Sequence, residues 1–294
     1  MSTPRPIRKA VFPAAGLGTR ILPATAVLPK ELLPIVDKPI IQYGVEEAAA
    51  AGLSHIVLVN SPGKRILEDH FAPHAALDAA LDRRGKSALL AGLRGLSAGI
   101  ELSTVYQAEP LGLGHAVLVS RDAVGDEPFA VVLSDDVIDA DPPALRRMLA
   151  VHAEVDGPVL LVERVPREAV SRYGVIAGDP LGGGVHRVTE LVEKPAPEDA
   201  PSDLAIIGRY VLTPDIYPVL EQTGQGQGGE IQLTDGLRRL LAQRSIFAVE
   251  LDGVRHDAGN KPGYLRAILH FARKHPDLRR VLAEPDAETA AATR

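Results

Sequence analysis

The chain has 294 residues, a formal net charge of -6 and no cysteine. Hydrophobic content of 46% beside 24% charged residues is that of a soluble folded protein, and the length allows one large domain or two small ones. An acidic chain with no basic stripe is no general nucleic-acid binder, and the missing cysteines exclude disulfides and thiolate chemistry.

The opening MSTPRPIRKAVFPAAG has a basic flank but no unbroken apolar run, so no export signal is expected. No apolar stretch approaches the length of a membrane span, which predicts a cytoplasmic protein without membrane contact. KAVFP (9–13), HIVLVN (55–60), IELSTVY (100–106), FAVVLSD (129–135) and PVLLVERV (158–165) have the short β-rich form of strands. Between them, IIQYGVEEAAAAG (40–52), ILEDHFAPHAALDAALDRRG (66–85), GLGHAVLVSRDAV (112–124) and PPALRRMLAVHAE (142–154) read as helices. Pro73 splits the second, and prolines open the last, where a first helical turn tolerates them. This alternation predicts an α/β fold whose mostly parallel sheet is flanked by helices on both faces.

From residue 173 the pattern changes. YGVIAGDPLGGGVHRVTELVEKP reads as two strands around a glycine turn, a small antiparallel addition to the sheet. LAIIGRYVL (204–212) and IFAVELDG (246–253) are further strands, while EIQLTDGLRRLLAQR (230–244) and PGYLRAILHFARKH (262–275) are helices. With no repeat or clear linker, a single domain over 1–294 is expected, its core at 8–275. The end at 284–294, EPDAETAAATR, lacks apolar anchors and reads as a frayed tail.

The stretch AVFPAAGLGTRILPATAVLPKELLPI (10–35) holds Gly16 and Gly18 just after the first strand, then Arg20 and Lys30, with no acid before Glu31. A glycine loop lets backbone N–H groups reach phosphate oxygens, although a tight turn needs glycine too. It is not a dinucleotide fingerprint, since Ile21 takes the third glycine's place. Nor is it a P-loop, since Thr19 and Arg20 follow Gly18. Asp135 and Asp136 end an apolar strand, where ligands of open α/β sheets sit. A carboxylate there could bind Mg2+ beside substrate phosphates, or serve as a helix cap. Glu193 and Lys194 close a strand whose alternation sends their side chains to opposite faces, as in an exposed turn. Gly174 and Gly208 could be strand glycines at bulges. His256 beside Asp257 lacks a third ligand for a transition metal.

GLGTR, LPATAVLPKELLPI and DKPII together resemble the signature of the sugar-1-phosphate nucleotidyltransferases. EPLGLGHAV (109–117), FAVVLSDDV (129–137), YGVI (173–176), VEKP (192–195), LAIIGRYVL, GGEIQLTD (228–235) and HDAGNKPGY (256–264) follow in that family's order. The resemblance covers residues 8 to 275 and is strongest to the members that make UDP-glucose. It implies a Rossmann-like nucleotidyltransferase fold with a central mixed sheet. The implied reaction joins UTP to glucose 1-phosphate, giving UDP-glucose and pyrophosphate with Mg2+ as cofactor. A thymidylyltransferase, or a non-catalytic nucleotide-sugar-binding regulator, is the alternative.

The resemblance also assigns roles. Arg20 would hold the triphosphate and Lys30 the side of the α-phosphate. Ala14, Ala15, Gly16, Gly18, Thr19, Gln107 and Gly112 would bind the nucleotide. A glutamine amide can pair with the donor and acceptor edge of uracil, but thymine shares that edge. Glu193 would accept sugar hydroxyls and Lys194 would contact the sugar's phosphate, with Gly174 and Gly208 close to the sugar. The metal carboxylates would be Asp135 and Asp257, with Asp136 a weaker candidate. Family members commonly form dimers or tetramers, so a homo-oligomer is expected. The resemblance lapses at Ala26, where close members carry a lysine, and at Ser134, where proline is common; the first removes a cation from the phosphate loop.

Overall fold

A computed structural model describes residues 6–226 and 229–282; the tail expected at 284–294 lies outside the described residues. The strands are β1 (Lys9–Pro13), β2 (Pro34–Ile35), β3 (Lys38–Pro39), β4 (His55–Asn60), β5 (Glu101–Tyr106), β6 (Phe129–Val132) and β7 (Asp136–Asp139). They continue with β8 (Val159–Arg164), β9 (Gly174–Gly182), β10 (Val185–Glu193), β11 (Leu204–Leu212), β12 (Phe247–Glu250) and β13 (Val254–Asp257).

A nine-stranded sheet runs in the order β5-β4-β1-β6-β11-β8-β12-β10-β9. Its first four strands are parallel, as the alternation of strands and helices predicts. Beyond β6 the pairings are antiparallel except β8 with β12, and β9 pairs back onto β11, so this end closes on itself. The antiparallel part is therefore larger than the small addition expected. Parallel neighbours need a crossover, usually a helix. Here β9 and β10 are joined by Gly182, Gly183 and Gly184, all at positive φ, and no α-helix separates β8 from β11.

Both faces of the sheet are covered. On β1, Val11 enters one apolar cluster, with Val117, Leu233 and Leu237. Ala10 and Phe12 enter the other, with Val45, Leu145 and Met148. The period of two along the strand thus serves two cores, which is why these strands read as continuous apolar runs. Pro73 separates the helices Ile66–Phe71 and Ala75–Asp82, as expected, while the helix Ala91–Gly99 had no clear signal among its glycines. Among the described residues no helix is long and apolar enough to cross a membrane.

One departure shapes the site. FAVVLSD stops being a sheet strand at Val132: Leu133 N donates to Gly208 O, and the chain turns off. It re-forms as β7, antiparallel to β13, with Asp136 opposite Asp257. IFAVELDG ends early, at Glu250, and β13 begins just beyond it at Val254. This two-stranded ribbon carries HDAGN to SDD across most of the chain's second half.

Candidate active site

Two clefts adjoin at the carboxyl ends of β1 and β6. One, of about 320 Å3, is lined by Ala15, Gly16, Lys30, Glu31, Gln107 and Gly112, among others. The other, of about 210 Å3, is lined by Asp136, Gly174, Glu193, Gly208, Arg255 and Asp257, among others. Arg20, Leu113, Leu133 and Asp135 belong to both, so one cation and one carboxylate form the shared wall.

The glycine loop leaves β1 with Ala14 N donating to Val59 O at 2.8 Å. A Cβ on Gly16 would meet nothing within 4 Å, so its backbone is open to a ligand and packing does not require glycine there. Gly18 does need its type: its φ is 66°, and a Cβ would lie 3.3 Å from the Cβ atoms of Lys30 and Thr25. That close approach lays the loop over Lys30. Thr19 begins the short 3-10 turn that carries Arg20. Ala26 sits on an exposed turn outside the lining of either cleft.

Lys30 Nζ lies 2.6 Å from Asp135 Oδ2. Burial alone would lower the lysine's pKa, but the charges of Asp135 and Glu31 outweigh it and hold the pKa above its usual value. Burial would raise Asp135, yet Lys30, through its charge and hydrogen bond, and Arg20 bring it below the usual carboxylate range. Both groups are therefore charged at neutral pH. Asp257 faces Asp135 across Gly259: a Cβ on that glycine would lie 2.5 Å from Asp135 Oδ2 and 3.2 Å from Asp257 Oδ1. Asp136 points elsewhere. Its Oδ1 accepts from Arg255 and its Oδ2 from Gly208 N, and burial pushes its pKa up. His256, alternating with Asp257 on β13, packs its ring 4.6 Å from that of His270, on the far side of the ribbon.

Gln107 is buried, and its amide nitrogen donates to Gly112 O at 3.2 Å and meets His115 Nδ1 at 2.9 Å. Gly112, at φ 98°, and Gly114 pack tightly on residues 230–231; a Cβ on Gly114 would lie 2.7 Å from Ile231 O. The blocks GLGHAV and GGEIQLTD are thus two sides of one contact. Gly174 and Gly208 line the smaller cleft, but packing already explains both. A Cβ on Gly174 would lie 2.7 Å from Thr234 Oγ1, and one on Gly208 would lie 2.7 Å from Asp136 Oδ2.

Strand alternation placed Glu193 and Lys194 on opposite faces, and here the structure differs. Lys194 leaves the strand at φ 47°, its N–H donating to Tyr173 O, and its Nζ comes 3.1 Å from Glu193 Oε1. A non-glycine residue in the left-handed region is uncommon, and such strain gathers at functional sites.

Several groups were missed by sequence reasoning. Glu31 is 1% exposed, yet both its carboxylate oxygens lack a hydrogen-bond partner. Its nearest cations are Lys30 at 3.9 Å and Lys64 at 4.0 Å. Lys64 Nζ in turn donates to the carbonyls of Ala14 and Gly16. Tyr173, Thr234 and Arg255 complete the smaller cleft. Glu31, Tyr173 and Thr234 stood inside motifs already singled out and Arg255 directly before one; Lys64, in the loop SPGKR, carried no signal.

The chain is similar to known proteins over most of its length. The chain is 46% identical over 275 residues to the UTP–glucose-1-phosphate uridylyltransferase of Bacillus subtilis (strain 168), covering 93% of this chain and 94% of the relative. A crystal structure of UDP-glucose pyrophosphorylase complexed with UDP-glucose superimposes with a TM-score of 0.84 at 43% identity, covering 92% of this chain and all of that one. A UTP-bound UGPase from Acinetobacter baumannii gives 0.87 at 38% identity, covering 95% and 99%. The family model described as nucleotidyl transferase matches residues 9–274, from the first strand through the glycine loop and both clefts to the closing helix, and the chain belongs to that family.

Proposed function

We propose that the chain joins UTP to glucose 1-phosphate, forming UDP-glucose and pyrophosphate. The observation that carries this reading is the wall of Arg20 and Asp135 shared by two adjoining clefts. An oxygen of the sugar phosphate attacks the α-phosphorus of UTP. The new O–P bond forms as the bond to the β-phosphate oxygen breaks, and pyrophosphate leaves with that electron pair. The nucleophile has a second pKa of about 6 and is already ionised at neutral pH, so no general base is needed. The chain must instead align two polyanions and offset charge at the α-phosphate. Arg20 and Lys30 are the cations for that work, while Lys194 would contact the sugar's phosphate and Glu193 would accept sugar hydroxyls.

The donor set fits Mg2+. Asp135 and Asp257 converge across a glycine that leaves no room for a Cβ, and two carboxylates with substrate phosphates and waters make an ordinary Mg2+ environment. No cluster of three or more His, Asp or Glu among the described residues forms a complete protein cage. When bound, the ion would offset charge on the phosphates. Both oxygens of Asp136 are engaged, by Arg255 and by the Gly208 amide, which favours Asp135 as the ligand of the pair.

The amide nitrogen of Gln107 is occupied within the protein, so its oxygen is the atom free to meet the imide N–H of uracil. Thymine offers the same edge. With the similarity running to uridylyltransferases, the thymidylyl reading is not favoured. A non-catalytic regulator is opposed by the intact set Arg20, Lys30, Asp135, Lys194 and Asp257. The test is pyrophosphate release with Mg2+ across UTP, dTTP and other nucleotides, each with several sugar 1-phosphates. UTP with glucose 1-phosphate is expected to be the best pair. No turnover with any pair would overturn the reading.

A further inference from the structure

Arg255 lies under the smaller cleft with its side chain 8% exposed. Its Nε donates to Asp136 Oδ1 at 2.8 Å and its Nη2 lies 2.5 Å from the same oxygen. Nη1 donates to the Tyr173 hydroxyl at 3.3 Å and lies 3.5 Å from Glu163 Oε2; the guanidinium centre is 5.2 Å from the centroid of the Tyr173 ring. Each partner continues to a wall of the cleft. Asp136 Oδ2 accepts from the Gly208 amide at 2.8 Å. Tyr173 O accepts from the Lys194 amide at 2.9 Å, and Tyr173 directly precedes Gly174. One guanidinium thus joins β13 to β7, β8 and the start of β9, and through them to every sugar-side group named above.

We propose that Arg255 is a positioning residue for the sugar-phosphate half of the reaction. Its planar fork holds Asp136 and Tyr173 in place, and so sets the Gly208 backbone and the turn that presents Glu193 and Lys194. It also neutralises Asp136, so the adjacent carboxylates of residues 135 and 136 do not repel one another. A lysine offers one mobile point charge in place of a fixed fork, and cannot hold both partners in this way. This inference rests on the functional reading above.

The test is steady-state kinetics of Arg255→Met and Arg255→Lys in the full chain, varying each substrate at saturation of the other, with thermal unfolding in parallel. Losing hydrogen bonds to a charged group predicts a rise in KM for glucose 1-phosphate of about tenfold or more in Arg255→Met, with KM for UTP within about twofold. Arg255→Lys is expected to fall between that variant and the wild type. Tyr173→Phe, which removes one hydroxyl and keeps the ring, is expected to move the same KM by severalfold and decides the matter if Arg255→Met does not fold. Equal rises in both KM values, or an unchanged KM for glucose 1-phosphate in a folded variant, would overturn the proposal. A wild-type chain unable to use UTP with glucose 1-phosphate would overturn the functional reading and this inference together. An active wild type with unmoved variants would overturn this inference alone.

Discussion

Lys30 and Asp135 stand 105 residues apart in the chain and meet at 2.6 Å on the wall between the two clefts. Each sets the other's charge: the lysine keeps the carboxylate ionised, and the carboxylate keeps the lysine protonated despite burial. Asp135→Asn leaves an oxygen that can still accept from Lys30 while removing the charge. Turnover is expected to fall by about 10^2-fold or more, the scale of losing one electrostatic contact in a transition state. Thermal stability should change far less. Pyrophosphate release and an unfolding curve on the same preparation check both halves; normal turnover at limiting Mg2+ would remove Asp135 from the metal site.

Gly259→Ala probes the metal site without touching a charge. Its new Cβ would sit 2.5 Å from Asp135 Oδ2 and 3.2 Å from Asp257 Oδ1, so both carboxylates must move. The Mg2+ concentration giving half-maximal rate is expected to rise by about tenfold, since geometry of hard-cation ligands is demanding. A Mg2+ titration that overlays the wild type would show that these two carboxylates do not act together.

Glu31→Gln tests the orphaned carboxylate. Burial drives the pKa of Glu31 up, and the charges of Lys30 and Lys64 offset part of that. Both oxygens are closed off from solvent, so the carboxylate acts through Lys30 and Lys64, the cations it faces. KM for UTP is expected to rise by about fivefold to tenfold, since a neutral amide holds those lysines less firmly beside the glycine loop. A KM equal to wild type would return Glu31 to a purely structural role.

Acid sensitivity should have a component far from the site. Glu250 accepts from Arg164 and, at 2.7 Å, meets His186. Burial pushes its pKa up, but the hydrogen bonds from Arg164 and His186, with their charges, bring it below the ordinary 4.5. A carboxylate with a depressed folded-state pKa contributes stability that is full above the unfolded value and is lost as pH falls through the folded one. The wild type should therefore lose melting temperature below pH 4.5 more steeply than Glu250→Gln does. Parallel slopes in thermal scans across that range would show the contacts to be energetically silent.

Much of the site was legible because its chemistry sits in short blocks. GLGTR and PKELLP carry a glycine held at positive φ and two cations, features that a few residues suffice to show. FAVVL announced a buried strand ending in carboxylates for the same reason. What the blocks could not reveal was their partners. Asp135 and Asp136 are adjacent and chemically identical, and only the contacts of Lys30 and Arg255 separate their roles. Strand periodicity misplaced Lys194, because one left-handed residue reverses the direction of a side chain and no propensity marks it.

The sequence by itself determined the alternating strands and helices, the glycine loop and the two isolated cations. These follow from hydrophobic period and side-chain chemistry, which act over a few residues. Only the tertiary structure decided that β7 pairs with β13, that Asp257 therefore faces Asp135 across Gly259, and that Glu31 is buried without a donor. Those are outcomes of long-range packing, where distance, desolvation and the neighbour's charge set what a carboxylate does, and none of these is a property of its neighbours in the chain.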